Sequence, residues 1–241
     1  MKRQLFLMLT ILLTAVSTNA KTLVVYYSYT NNIHQVVSAL TSQIDADVIR
    51  IEPAEKGLNY AANNYAIGSA QISAIRKNPN DASSYPTIDP VEVNLADYDC
   101  IIIGAPLWWS NMAAPLQTFL FRNGAAMAGK HIGLIVSSAS SGISGVESDA
   151  RRLIPNGDFF PSSLWIRSSQ TANSATLIRQ WLKEIDYETT GNIEGVKTDK
   201  RLTTNAIYSI SGSLIGSRMS STDKLNKGIY IINGTKTYKS N

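Results

Sequence analysis

Three short segments hold the residue types from which a binding site could be built. Ser28-Tyr29-Thr30-Asn31-Asn32-Ile33 joins hydroxyls and amides to a helix start. Free backbone N–H groups and the helix dipole converge there, so the segment can cradle a phosphate without Lys or Arg, or simply cap its own helix. Ala105-Pro106-Leu107-Trp108-Trp109 sets two adjacent tryptophans in a loop between Pro106 and Pro115. Neighbouring side chains point in different directions, so at least one indole lies near the surface. That indole can stack on a planar ligand, or receive another part of the chain. Ser137-Ser138-Ala139-Ser140-Ser141-Gly142 has only small side chains, which either lets the backbone approach a ligand closely or leaves a flexible connector.

Other chemistries have little material. Cys100 is the only cysteine, and His34 and His131 are the only histidines. An internal disulfide, an iron–sulfur centre, a zinc site and a His-based triad all lack the residues they need. Cys100 reads as a buried small hydrophobe. His34 reads as solvated or capping, His131 as structural, and Asp149, Arg151 and Arg152 as the solvated face of a helix.

The elements that must position the three segments alternate in type. Apolar β-rich runs at 22–27, 47–51, 100–103, 131–136 and 163–166 alternate with helical patterns at 33–40, 116–121, 146–154 and 175–185. This predicts an α/β domain: five parallel strands, doubly wound, with helices on both faces. In such a sheet ligands bind beyond the carboxyl ends of the strands, where all three segments fall. Residues 53 to 98 form a long insertion with no clear strand and at least one helix, carrying Tyr60, Tyr65 and Tyr85. After residue 190 the pattern changes to two hairpins, one at 206–215 and one at 229–238 with Asn233-Gly234 at its turn.

Residues 1–20 have a basic start, a short apolar run and small residues before Lys21, the pattern of a signal peptide. The domains expected are therefore a leader at 1–20, the α/β domain at 21–189 and a small C-terminal β-hairpin extension at 190–241. No transmembrane segment remains once the leader is removed. Export to the periplasm or cell envelope follows, and net charge falls from +4 to +2, which argues for no nucleic-acid partner. The charge is uneven: residues 21–196 hold 12 basic and 16 acidic side chains, whereas 197–241 hold 8 and 2. With 44% hydrophobic and 17% charged residues, disorder, collagen and coiled coil are excluded.

A phosphate cradle, an aromatic platform and a close-approach loop on one sheet edge together describe a flavin mononucleotide (FMN) site. The chain resembles the flavodoxins, in a longer form with an insertion before the third strand. The resemblance covers roughly 22–187. It rests on Ser28-x-Thr30-x-Asn32, on Gly104-x-Pro106-x-Trp108-Trp109 with Met112-x-x-Pro115 and Phe119, and on the closing helix with Trp181-Leu182. It implies that Ser28, Thr30, Asn31, Asn32 and Ile33 surround the phosphate. It implies further that Ala105, Pro106, Leu107, Trp108 and Trp109 line the isoalloxazine, with Ser138, Ala139, Ser140 and Gly142 on its other edge. Two departures stand out: Asn31 replaces a common glycine, and Ala139-Ser140 replace glycines found in many relatives. The tail, with Ile207 to Gly212 and Gly228 to Lys236, is similar to C-terminal β-modules of exported Bacteroidetes proteins, some of which direct sorting.

The function expected is that of an exported FMN-binding electron-transfer flavoprotein whose partner is a redox protein or a small-molecule electron donor. The flavin does the chemistry, and no side chain acts as acid or base. An alternative on the same fold is an NAD(P)H-dependent quinone or flavin reductase, an oxidoreductase with Tyr60 and Tyr65 near a nicotinamide. A flavin-free envelope binding module is the third reading, motivated by Asn31, Ala139 and Ser140.

Overall fold

The computed structural model describes residues 21–187 and four strands beyond them, at 207–209, 214–216, 228–232 and 235–239. The leader expected at 1–20 and residues 188–206 lie outside the described residues. The chain divides into two compact units, Met1–Gly195 and Val196–Asn241.

The first unit runs β1 (Thr22–Tyr26), α1 (Asn32–Thr41), β2 (Asp47–Arg50), α2 (Ala62–Lys77), β3 (Cys100–Trp108), β4 (Asn111–Met112) and α3 (Ala114–Asn123). It continues with β5 (His131–Ser138), α4 (Ser144–Leu153), β6 (Asp158–Phe159), β7 (Leu164–Arg167) and α5 (Ser174–Glu184). The lateral order is β2-β1-β3-β5, with β6 and β7 both on the outer edge of β5. Among the described residues every strand pairing of this unit is parallel except that of β4 with the end of β3, and an isolated antiparallel bridge joins Pro53 to Ile88.

Strand residues alternate between two cores. Leu23, Val25, Ile101 and Ile103 pack with Ile72 and Ile75 of α2, Phe119 of α3 and Val146 of α4. Val24, Tyr26, Cys100 and Ile102 pack with Ile33 and Val37 of α1 and Trp181 of α5. Both sheet faces are therefore covered, which is why the strands are apolar throughout. Cys100 is fully buried, as expected, and burial pushes its thiol pKa up to about 12.

Three strands differ from the sequence reading. β3 runs on to Trp108, five residues past Ile103. Pro106 is tolerated because β1 ends opposite Gly104, so that flank has no strand awaiting its N–H, and its carbonyl accepts from Ala113 N–H (3.1 Å). Leu107 and Trp108 then pair with Met112 and Asn111, so the first indole sits in a hairpin rather than a loop. The fifth strand is split into β6 and β7 around Pro161, which cannot donate to the ladder.

In the insertion, α2 opens with three successive left-handed residues, Asn63, Asn64 and Tyr65 (φ 49°, 55° and 62°). His131 is structural: it pairs with Asp158 (2.9 Å) and stacks on Phe160. His34 is exposed, with Nδ1 2.7 Å from the Tyr26 hydroxyl.

In the second unit β8 (Ile207–Ser209) pairs with β9 (Leu214–Gly216), and β10 (Gly228–Ile232) with β11 (Thr235–Lys239). These are the two hairpins read from sequence, and β8–β10 pairing joins them into one antiparallel sheet.

Candidate functional site

The order of strands reverses between β1 and β3, and beyond their carboxyl ends lies a cleft of about 450 Å³. Three loops and the insertion line it.

The first loop follows β1. Ser28, Thr30, Asn32 and Ile33 line the cleft, whereas Asn31 does not. Asn31 is the N-cap of α1 with φ 64°, and its side chain makes no capping bond. Ser28 does the capping instead, its Oγ accepting from His34 N–H at 3.2 Å. The first-turn N–H groups of Asn32 and Ile33 have no acceptor within the helix, and no acidic residue sits in that turn. Arg50 donates to the Ser28 carbonyl (3.0 Å) and pairs with Glu52 (2.6 Å).

The second loop follows β3 and separates the two tryptophans. Trp108 is half-buried, edge-on to Tyr27 (5.6 Å) and tilted against Tyr60 (4.8 Å). Trp109 remains 40% exposed, edge-on to Trp108 at 6.4 Å. The insertion thus packs against both indoles and leaves Trp109 the more exposed. Pro106 and Leu107 line the cleft beside them, but Ala105 lies wholly in the core. Gly68 of α2 lets both rings approach: a Cβ there would lie 3.0 Å from Cζ3 of Trp109 and 3.4 Å from Cε3 of Trp108.

The third loop follows β5. Ser137, Ser138 and Ala139 line the cleft, whereas Ser140 and Gly142 are exposed outside it. Ser138 Oγ donates to the Ser141 carbonyl (2.7 Å) and accepts from Trp165 Nε1 (2.8 Å), which fixes the loop. A Cβ on Gly142 would meet nothing within 4 Å, so no neighbouring group requires glycine there.

Sequence reasoning did not place Tyr29, Ala61, Gly68 or Ser168 at the cleft, and it offered Tyr60 and Tyr65 only for a nicotinamide. Gly68 inside a helical run was the one available signal. Tyr29 donates to Asn59 Oδ1 (3.2 Å) and accepts from Ala61 N–H (3.2 Å), tying the first loop to the insertion.

Among the described residues, none lining the cleft carries a formal charge. Burial raises the pKa values of Tyr27 and Tyr60, so both stay neutral. Among the described residues no cluster of His, Cys, Asp or Glu could hold a metal ion. The site can bind by shape, stacking and hydrogen bonds, and it contains no nucleophile paired with a base.

Asp149 corrects the sequence reading of a solvated face. Asp149 is only 6% exposed. Its Oδ2 accepts from Met112 N–H (2.9 Å) and Asn111 Nδ2 (2.8 Å), and its Oδ1 pairs with Arg152 at 3.0 Å. Arg151 and Arg152 both remain exposed, Arg151 over the Phe159 ring.

A sequence profile of the family described as Flavodoxin matches residues 21–185. Among solved structures the chain is similar to a protein of Bacteroides eggerthii provisionally named a flavoprotein. That match has 23% identity and a TM-score of 0.56, over 70% of this chain and 99% of that one. A Bacteroides uniformis protein with the same provisional name matches at 26% identity and a TM-score of 0.53, over 69% and 99%. A flavoprotein of Lactobacillus acidophilus, solved in complex with FMN, matches at 20% identity and a TM-score of 0.51, over 65% and 99%. The profile spans well over half of the sequence, and with the strand order and the cleft it leads to one conclusion: the chain belongs to the flavodoxin family.

Proposed function

We propose that this chain binds FMN in the cleft and serves as an exported flavodoxin-like electron carrier. The observation that carries this reading is the convergence of three loops, unrelated in sequence, on one uncharged cleft at the point where strand order reverses. A volume of about 450 Å³ is within the range of cofactor pockets.

The donor set fits the cofactor. Thr30 and Ser28 hydroxyls, the Asn32 amide and the N–H groups of the first turn of α1 would hold the phosphate, favoured by the helix dipole. Asn31 already has a left-handed backbone, which Asn tolerates better than most residues. Trp109 offers an open indole face to the ring, with Leu107 and Ala139 beside it. When bound, the flavin supplies the electron-transfer chemistry. Among the described residues no cation lines the cleft, so no side chain there offsets negative charge gained on reduction, which favours a low reduction potential.

An adjoining hollow of about 170 Å³, lined by Arg50, Lys56, Tyr29 and Tyr60, is the feature that favours a reductase. Its two cations are already engaged, Arg50 with Glu52 (2.6 Å) and Lys56 with Asp89 (2.5 Å), which favours the carrier. Among the described residues no helix is long and apolar enough to cross a membrane. Export rests on the leader pattern at 1–20, and fractionation of cells producing the tagged chain tests it.

The binding test is titration of the purified chain with FMN. Flavin fluorescence should be quenched at 1:1 stoichiometry with Kd below about 1 µM. An absence of quenching at tens of micromolar would end both redox readings. Steady oxidation of NADPH by the loaded protein with a quinone would select the reductase instead.

A further inference from the structure

The turn that presents Trp109 has an unusual composition for its shape. Trp109 and Ser110 join β3 to β4 with φ of 47° and 63°. Two-residue hairpin turns with positive φ at both positions are normally built from Asn, Asp and Gly, and a bulky residue there persists only where its surroundings over-determine it.

Those surroundings are charged and arrive from two sides. From α2, Arg76 donates through Nε to Asn111 Oδ1 (2.7 Å) and through Nη2 to the Trp109 carbonyl. From α4, the Asp149 carboxylate takes the Asn111 side chain and the Met112 N–H. Arg152 fixes Asp149 and also donates to Gln117 Oε1 (2.9 Å), whose Nε2 returns to the Met112 carbonyl at 2.7 Å. The first turn of α4 also abuts the hairpin, because a Cβ on Gly145 would lie 1.8 Å from the Ser110 carbonyl. Asn111 therefore receives both clamps, one at each end of its side-chain amide. β4 has only two residues and lies off the main sheet order, yet it gathers this whole network. What the network holds at the cleft is the Trp109 indole.

We propose that Arg76 and Asp149 are positioning residues for Trp109, holding its strained turn so that the indole is set in place before a ligand arrives. The affinity consequence rests on the cleft being the flavin site; the positioning itself does not.

The test uses the full chain with Arg76→Met, Asp149→Asn and, as a control on the far side of the same helix, Arg151→Met. The first readout is the near-UV circular dichroism band that Trp109→Phe removes, measured without FMN; the second is FMN affinity. Arg76→Met should lose that band and bind FMN more weakly, by no more than about fivefold, while its thermal midpoint falls by no more than a few degrees, because Arg76 is exposed. Asp149→Asn should lose the band too, and Arg151→Met should keep both. If Asp149→Asn does not fold, Arg76→Met decides alone. A retained Trp109 band in Arg76→Met overturns the proposal whatever the affinity does. Loss of the band in a chain that binds no FMN upholds the positioning role and removes the flavin reading.

Discussion

Replacing Gly68 separates the fold's stability from the shape of the cleft. The Cβ of Gly68→Ala would stand 3.0 Å from Cζ3 of Trp109, against 3.4 Å or more in ordinary contact, so the indole must yield by about 0.4 Å. It can yield, being 40% exposed, whereas Trp108 is held between Tyr27 and Tyr60. A gap of roughly 0.5 Å forfeits about a quarter of a contact's attraction, and an aromatic stack contributes about 1 kcal/mol, so FMN binding should weaken by less than about twofold. Gly68→Leu displaces the ring altogether and should cost the whole stack, about fivefold to tenfold in Kd. Stability should move the other way in the alanine variant, because a helix-interior glycine costs about 1 kcal/mol relative to alanine. The assays are FMN titration and thermal unfolding of each variant. Wild-type FMN affinity in Gly68→Leu would refute the claim that α2 sets the indole.

Trp109→Ala should weaken FMN binding by about 1 kcal/mol with little change in the unfolding midpoint, measured by the same pair of assays. Cys100 gives a pH prediction. Its folded pKa, raised from 9.0 to about 12, means the unfolded chain loses that proton first. The stability it contributes is whole below pH 9 and is lost as pH rises toward 12, by about 1.4 kcal/mol per unit. Urea unfolding of Cys100→Ala should show a shallower decline than wild type above pH 9. Gly124→Ala would put a Cβ 1.9 Å from the Leu153 carbonyl, so this variant should be destabilised by about 3 kcal/mol or more in urea unfolding.

The α/β architecture was legible because both faces of the sheet are covered. Runs such as Cys100-Ile101-Ile102-Ile103 are then apolar without alternation, and Ile33, Val36, Val37 and Leu40 mark the buried stripe of α1. Strand ends were less legible, since Pro106 and Pro161 look alike in sequence. Only the flanking strands decide that the first is absorbed into β3 and the second splits the edge. The cleft loops were found because their compositions, small, amide-rich or doubly indole, have few uses in a core. The roles inside them were not: Ser28 rather than Asn31 caps α1, and the insertion packs against both indoles, leaving Trp109 the more exposed. Asp149 illustrates the reason, because a charged residue on an amphipathic helix reads as solvated until the tertiary structure brings Met112 N–H and Arg152 to it.

The central claim is that the uncharged rim takes hold of a flavin through the first turn of α1, and calorimetric titration with FMN and with riboflavin, which lacks the phosphate, tests it most directly. The account predicts 1:1 FMN binding, with riboflavin weaker by about a hundredfold, as expected for losing two charge-assisted hydrogen bonds of about 1.5 kcal/mol each. Equal affinity for the two flavins would contradict the phosphate cradle, and no binding of either would contradict the whole account.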